Sequence, residues 1–359
     1  MLFRSTAGTL SRAMGRGGGT ALPGKVLLRL DPGAVGQLAG NLGGGTAMVS
    51  ATNGKTTTTR LLAAALRHTG SQVVTNAAGA NLLSGVAAAL AQAAPRPGSD
   101  ACGVFEVDEA ALPQVAQRTR PQVMLLMNLF RDQLDRHGEL ESLGDRWLAM
   151  LQQASPAPAL VLCGDDPLVA SLAPDGARVT WFGIDDPAVA ADALPHAADS
   201  TRCRACGSPL RYAHVWVGHV GDWACPGCGA TRPRPDVAVV RAGLKGATGS
   251  EPVIRTPQGE VRLNLSLPGL HNVLNAAAAL ATAMQMGVPA AEAAAAISAE
   301  PAAFGRAERV AVDGHDLLLL LAKNPAGANE NVRTLLLDDR DHDLLDRKST
   351  RLNSSHANI

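Results

Sequence analysis

Three observations predict an α/β fold with a mostly parallel sheet and a small metal-stabilised insert. Short apolar runs alternate with helical patterns over roughly the first half of the chain. One of those runs, Ala47-Met48-Val49, feeds a Gly-Lys-Thr turn that opens a helical pattern. Four cysteines lie further on as two Cys-x-x-Cys pairs.

In chain order, a Gly-rich segment (Gly40, Gly43, Gly44, Gly45) runs into the first strand and its turn, Ala51-Thr52-Asn53-Gly54-Lys55-Thr56-Thr57-Thr58. Leu61, Leu62, Ala65 and Leu66 recur at helical spacing after it. Gln72 to Thr75 reads as a short strand and Leu82 to Ala94 as an Ala-rich helix. Cys102 to Val107 and Val123 to Met127 read as strands, Leu134 to Gln153 as a helix, and Ala159 to Leu162 as a further buried strand. The cysteine segment, residues 200–232, reads as a polar module inserted into this order. Arg241 to Leu267 reads as strands with turns, and Val273 to Met286 and Ala290 to Ser298 as helices. Strands at Arg309 to Ala311 and Leu317 to Leu321 follow a change of character near Pro301. The expected organisation is therefore an N-terminal segment (1–45), a central domain (46–300) and the start of a C-terminal domain (301–345). The polar residues 346–359 read as a disordered or non-native tail.

With 359 residues and 46% hydrophobic content, the chain is long enough for two domains with real cores. Lys plus Arg balance Asp plus Glu at 32 each, which argues against a nucleic-acid binder that relies on a basic face. No apolar run is long enough to span a bilayer, and Met1 to Gly19 lacks the apolar core of a secretory signal. A cytoplasmic protein is expected.

Two sets of residues carry chemistry. A Gly-Lys-Thr turn between strand and helix turns backbone N–H groups toward phosphates, adds the Lys55 charge, and lets the Thr56 hydroxyl reach Mg²⁺. The match to the general phosphate-loop pattern is partial, because Val49 stands where that pattern has glycine. Glu106, at the end of its strand, is the expected carboxylate for the same Mg²⁺; taken alone, Glu106-Val107-Asp108-Glu109 reads more readily as a solvated loop, and its place beside the phosphate loop reverses that reading. Cys203, Cys206, Cys225 and Cys228, with 18 residues between the pairs, suit tetrahedral Zn²⁺ with no open position, hence a structural site. Cys102 and Cys163 read as buried thiols.

The spelling of the turn resembles the ATP loop of the Mur ligases and folylpolyglutamate synthases, although those enzymes usually have glycine at the place of Ala51. Pro268-Gly269-Leu270-His271-Asn272-Val273-Leu274-Asn275-Ala276 is similar to the family box whose first Asn meets adenine, and Phe304 to Arg309 to the family hinge. Lys323-Asn324-Pro325 stands where the family has His-Asn-Pro, and Gly164-Asp165-Asp166-Pro167 resembles a segment beside the nucleotide. Asn128 to Gly138 resembles a metal-site segment, with Gln133 at the place of a histidine and His137 as either ligand or surface residue. No lysine lies between Lys55 and Lys245, so the family's metal-site lysine has no counterpart. With the four-Cys insert, these departures resemble the MurT branch over about residues 20–345.

The resemblance implies a Mur-ligase-type central domain. It implies ATP contacts from Thr52, Asn53, Gly54, Lys55, Thr56, Thr57, Asn272 and Arg306, and catalytic parts for Lys55 and Glu106. It also implies amidation of the D-glutamate α-carboxylate of lipid II at the inner membrane face, with ammonia from a GatD-like glutamine amidotransferase. In that branch a further C-terminal aspartate completes the partner's site, and the likeness stops near Leu345. Two other readings stay open: a Mur-type amino-acid ligase, and a zinc-ribbon scaffold that uses ATP only as a switch. Lys55→Ala is expected to abolish ATP binding with the fold intact, and zinc loss to loosen residues 200–232 with ATP affinity largely kept.

Overall fold

The computed structural model describes residues 21–337 except 77–79, 132–139, 196–197, 302–307 and 314. Gln133, His137, Arg306 and the 346–359 tail therefore lie outside the described residues. Two short helices, α1 (Leu22–Leu30) and α2 (Ala34–Gly40), precede β1 (Thr46–Ser50). The alternation that follows is α3 (Lys55–His68), β2 (Val73–Thr75), α4 (Leu83–Ala93), β3 (Cys102–Glu106), α5 (Leu112–Thr119), β4 (Val123–Leu126), α6 (Leu140–Gln153), β5 (Ala159–Cys163), α7 (Pro167–Ala170) and β6 (Val179–Ile184). A hairpin, β7 (Arg211–Val217) and β8 (Val220–Ala224), interrupts the order before β9 (Val237–Arg241), β10 (Val253–Thr256) and β11 (Gly259–Arg262). Helices α8 (Leu270–Gln285) and α9 (Ala290–Ala299), the pair β12 (Glu308–Val312) and β13 (His315–Leu319), and α10 (Pro325–Leu336) complete the described chain.

Nine strands form one sheet in the order β11-β10-β9-β6-β5-β4-β1-β3-β2. From β2 to β9 every pairing is parallel, and β10 and β11 close the far edge antiparallel. Every residue of β1, β3, β4 and β5 is buried, as expected where helices cover both faces of a parallel sheet. That two-sided burial is why these strands read as unbroken apolar runs.

The core is built from small side chains. Residues 272–283 of α8 are all buried, including an alanine run from Ala276 to Ala279, and the helix packs on α3, β4, β5, β6 and β9. Alanine on every side lets the helix axis approach the sheet without large knobs, at no loss of helix propensity. Trp147, fully buried on α6, is one exception. Its Nε1–H donates to the Glu109 carbonyl at 2.9 Å, which ties α6 to the loop after β3.

The chain winds outward from β1 to β2, returns through β3, and then crosses β1 to β4. The loops after β1, β3, β4 and β5 therefore meet at one carboxyl edge near that reversal, where ligands of such sheets bind. The strands and helices predicted between residues 47 and 165 are found where they fall on described residues; 134–139 of the predicted helix Leu134 to Gln153 lie outside them. Helices α1, α2, α5, α7 and α10 and strands β6 and β9 were not predicted, and the cysteine segment is more than a polar loop. Its hairpin carries Trp216, Val217 and Val220 into the main core.

Candidate functional site

The loop after β1 turns into α3 at Gly54, which has φ 88°. Only glycine holds that conformation without strain, and a Cβ there would lie 2.2 Å from the Asn275 Oδ1 atom of α8. Gly54→Ala should destabilise the protein by ~1–3 kcal/mol and weaken nucleotide binding. Urea unfolding and calorimetry check this; an unchanged variant would mean the loop tolerates another shape.

Asparagines and a threonine fix the rest of the loop. Thr52 N–H donates to the Asn128 carbonyl at 3.0 Å, and the Thr52 hydroxyl both accepts from Phe130 N–H and donates to the Phe130 carbonyl. The Asn128 side chain accepts from Asn53 N–H at 2.9 Å and donates to the Asn53 carbonyl at 3.1 Å. Asn53 and Asn324 exchange reciprocal amide bonds at 3.3 and 3.2 Å, which join the loop to the start of α10.

Lys55 is buried and turned back on its own loop. Its Nζ donates to the Ala51 carbonyl, approaches the Thr52 carbonyl at 3.4 Å and pairs with Glu109 Oε2 at 3.1 Å. Thr56 Oγ1 donates to Glu106 Oε2 at 2.8 Å, so the two oxygens expected on Mg²⁺ are adjacent. Asn76 holds Glu106 from behind, accepting from its N–H at 3.0 Å and donating to its carbonyl at 2.8 Å. Asn76, Glu109 and Asn128 had no role assigned from sequence. The order strand, Gly-Lys-Thr, helix signals the loop, but nothing local marks three polar residues that reach it from other strands.

A cleft opens from this loop between α8 and α10. Asn272 lines it with both side-chain atoms engaged: Nδ2 donates to the Pro268 carbonyl at 2.7 Å and Oδ1 accepts from Asn275 Nδ2 at 3.1 Å. One Asn272 N–H remains for a ligand. Thr57 and Lys323 also border the cleft.

The four cysteines form the second cluster. Their sulfurs all lie within 4.8 Å of one another, with Cys203 to Cys228 at 3.6 Å and Cys206 to Cys225 at 3.4 Å. Four thiolates about 2.3 Å from a shared centre would be separated by similar distances, so the residues present fit tetrahedral Zn²⁺. Each knuckle closes with a tight turn, Gly207 N–H to the Cys203 carbonyl at 2.8 Å and Gly229 N–H to the Cys225 carbonyl at 3.0 Å. Both glycines have positive φ. The Ser208 hydroxyl and N–H lower the Cys206 thiol to about 6, which favours the thiolate.

The hairpin of this module ends at the cleft. Val217 and Val220 line the cleft wall, and Gly218 packs on Phe130 so closely that a Cβ would lie 2.7 Å from the ring. His219 Nε2 lies 3.2 Å from Asp166 Oδ2, both side chains fully buried. That same oxygen accepts from Leu129 N–H at 3.0 Å, while Oδ1 caps α7 through Leu168 and Val169 N–H. Asp165, beside it, pairs with Arg232 at 2.6 Å, and burial still pushes its carboxyl up to about 7. Polar contacts thus run from the hairpin through Asp166 and Leu129 to the segment that positions Thr52 and Asn53.

Comparison with known proteins bears on both clusters. Residues 49–221 match the Mur ligase middle domain. A relative from Streptococcus pneumoniae, the MurT subunit of lipid II isoglutaminyl synthase (glutamine-hydrolyzing), is 31% identical over 334 residues, covering 93% of this chain and 72% of the relative. The subunit of that name from Staphylococcus aureus is 27% identical over 324 residues, 90% of this chain and 70% of its own. Among solved structures, a pseudomurein peptide ligase type C from Methanothermus fervidus superposes with a TM-score of 0.66 at 24% identity. That match covers 82% of this chain and 56% of the other, and it speaks to the fold alone.

Proposed function

This chain belongs to the MurT family, and from that premise we propose that it is the ATP-using subunit of an amidating ligase that converts the D-glutamate α-carboxylate of lipid II into the carboxamide. The adjacency of Thr56 and Glu106 at 2.8 Å beside Lys55, at the mouth of a cleft, carries the reading. A hydroxyl and a carboxylate at the N-terminus of α3 support a Mg²⁺-triphosphate site there, toward which Lys55 would swing from its pairing with Glu109.

In this reading Gly54 leaves room for the phosphates, Lys55 neutralises charge on the transferring group, and Thr56 with Glu106 would hold Mg²⁺. The bound Mg²⁺ would add positive charge against the phosphates. Thr52, Asn53 and Thr57 shape the loop, and Asn272 offers its free N–H to the adenine. Arg306, outside the described residues, stays in the assignment on resemblance alone. The substrate carboxylate attacks the γ-phosphorus, ADP leaves, and the acyl phosphate is then displaced by ammonia with release of phosphate. Preorganised charge supplies most of the rate in such transfers.

Both relatives are named as subunits of a glutamine-hydrolyzing synthase, which supports a glutaminase partner of the GatD type as the ammonia source. No helix among the described residues is long and apolar enough to cross a membrane. We place the reaction at the cytoplasmic face of the membrane that holds lipid II. In the proposed organisation residues 46–300 form the nucleotide domain, 200–232 its zinc ribbon, and 301–345 the beginning of the next domain.

The test is reconstitution with a GatD-like subunit, ATP, lipid II and amide-¹⁵N glutamine. Lipid II carrying one ¹⁵N carboxamide, with matching ADP and phosphate, is the expected product. Incorporation of a free amino acid, with glutamine nitrogen ignored, would overturn the amidation reading in favour of an amino-acid ligase.

A further inference from the structure

The cleft that starts at Lys55 continues between α8 and α10, and its far wall carries polar atoms that the proposed reaction leaves unused. On α10, Gly327, Glu330, Asn331 and Thr334 recur at helical spacing and face the cleft across from His271 and Asn272. Most polar groups there already have partners. Asn272 is held by Pro268 and Asn275, and the Thr334 hydroxyl donates to the Glu330 carbonyl at 2.7 Å.

Among the described residues lining the cleft, two buried side-chain atoms have no partner: Glu330 Oε2 and His271 Nδ1. Glu330 is 6% exposed. The nearby cation does not reach the free oxygen, because Arg333 Nη1 lies 3.8 Å from Oε1 and the guanidinium donates to the Trp216 and Val189 carbonyls instead. Burial pushes the Glu330 carboxyl up to about 7 and the His271 imidazole down to about 4. Buried polar groups in native proteins are almost always paired, so an acceptor left open on a ligand cleft is one the ligand completes.

We propose that Glu330 is a nucleoside-specificity residue, with Oε2 accepting a hydrogen bond from a donor on the nucleoside of bound ATP, either a ribose hydroxyl or the exocyclic amine. This inference rests on the reading of the Lys55 loop as the triphosphate site. The phosphates occupy the α3 end of the cleft, which leaves the α8–α10 end for the sugar and base. Asn272 keeps one free N–H, and its Oδ1 already accepts from Asn275; the unpartnered Glu330 Oε2 supplies a complementary acceptor.

The experiment is calorimetric binding of ATP, 2′-deoxy-ATP, 3′-deoxy-ATP and the purine riboside triphosphate that lacks the 6-amino group. The proteins are the wild-type chain, Glu330→Gln, Glu330→Leu and Lys55→Ala. The wild-type chain should prefer ATP over one of the three analogues by about 10- to 100-fold, and that analogue identifies the donor. Glu330→Leu should bind ATP and that analogue alike, while Glu330→Gln, whose amide oxygen still accepts, should keep most of the preference. Equal binding of all four nucleotides by the wild-type chain would overturn the proposal without recourse to any variant, as would an undiminished preference in Glu330→Leu. Lys55→Ala separates the two readings: undiminished ATP affinity there strikes at the triphosphate site itself.

Discussion

Lys55→Ala should lower ATP affinity by about a hundredfold or more, because it removes the one buried cation at the N-terminus of α3. The same change should also destabilise the protein, contrary to the sequence-based expectation of an intact fold. Lys55 pairs with Glu109 at 3.1 Å with both side chains buried, and its loss strands a carboxylate. Breaking such a pair from one side costs ~3–5 kcal/mol. Lys55→Ala combined with Glu109→Gln should recover much of that stability and none of the binding. Denaturant unfolding with calorimetry on the single and double variants separates the two effects. An ATP affinity restored in the double variant would show that Lys55 acts on folding and not on phosphate.

Cys203→Ser should lose the metal, open the ribbon and, through it, the cleft. Zinc binding in small cysteine modules contributes ~10 kcal/mol or more of local folding free energy, and the knuckles have only a small core of their own, Leu210 and Trp223, beside the cysteines. Sequence reasoning expected ATP affinity to survive this. The structure argues otherwise, since Val217 and Val220 form part of the cleft wall and Gly218 packs on Phe130. The expected outcome is loss of zinc by elemental analysis, fast hydrogen exchange across 203–228, and an ATP affinity about tenfold weaker. Wild-type affinity in a zinc-free protein would return the ribbon to the role of a remote ornament.

What was legible in the sequence follows from how local each signal is. The phosphate loop, the Cys-x-x-Cys knuckles and the central parallel strands are written in consecutive residues, and each could be read before the fold was known. Strand β6 opens on three half-buried residues, Val179-Thr180-Trp181, and β9, Val237–Arg241, is a short apolar run directly after the cysteine segment, so neither was separated from the insert by pattern alone. Glu109 and Asn128 act at the loop only because β3 and β4 flank β1, a neighbourhood no spacing reveals. Glu330 sits in a polar helix whose inward face has no apolar period to announce it.

The reciprocal amide pair between Asn53 and Asn324 has a thermodynamic consequence of its own. Two neutral hydrogen bonds exchanged with water hold together the phosphate loop and the first turn of α10, a latch of ~1–3 kcal/mol. The Arg333 guanidinium, which donates to the Trp216 and Val189 carbonyls, holds the same helix further along, so the open population is set by both sets of bonds together. Once seated, a ligand touching both the loop and the helix would shift that population by as much as it prefers the shut form, so occupancy of the cleft and the posture of the C-terminal segment are linked quantities.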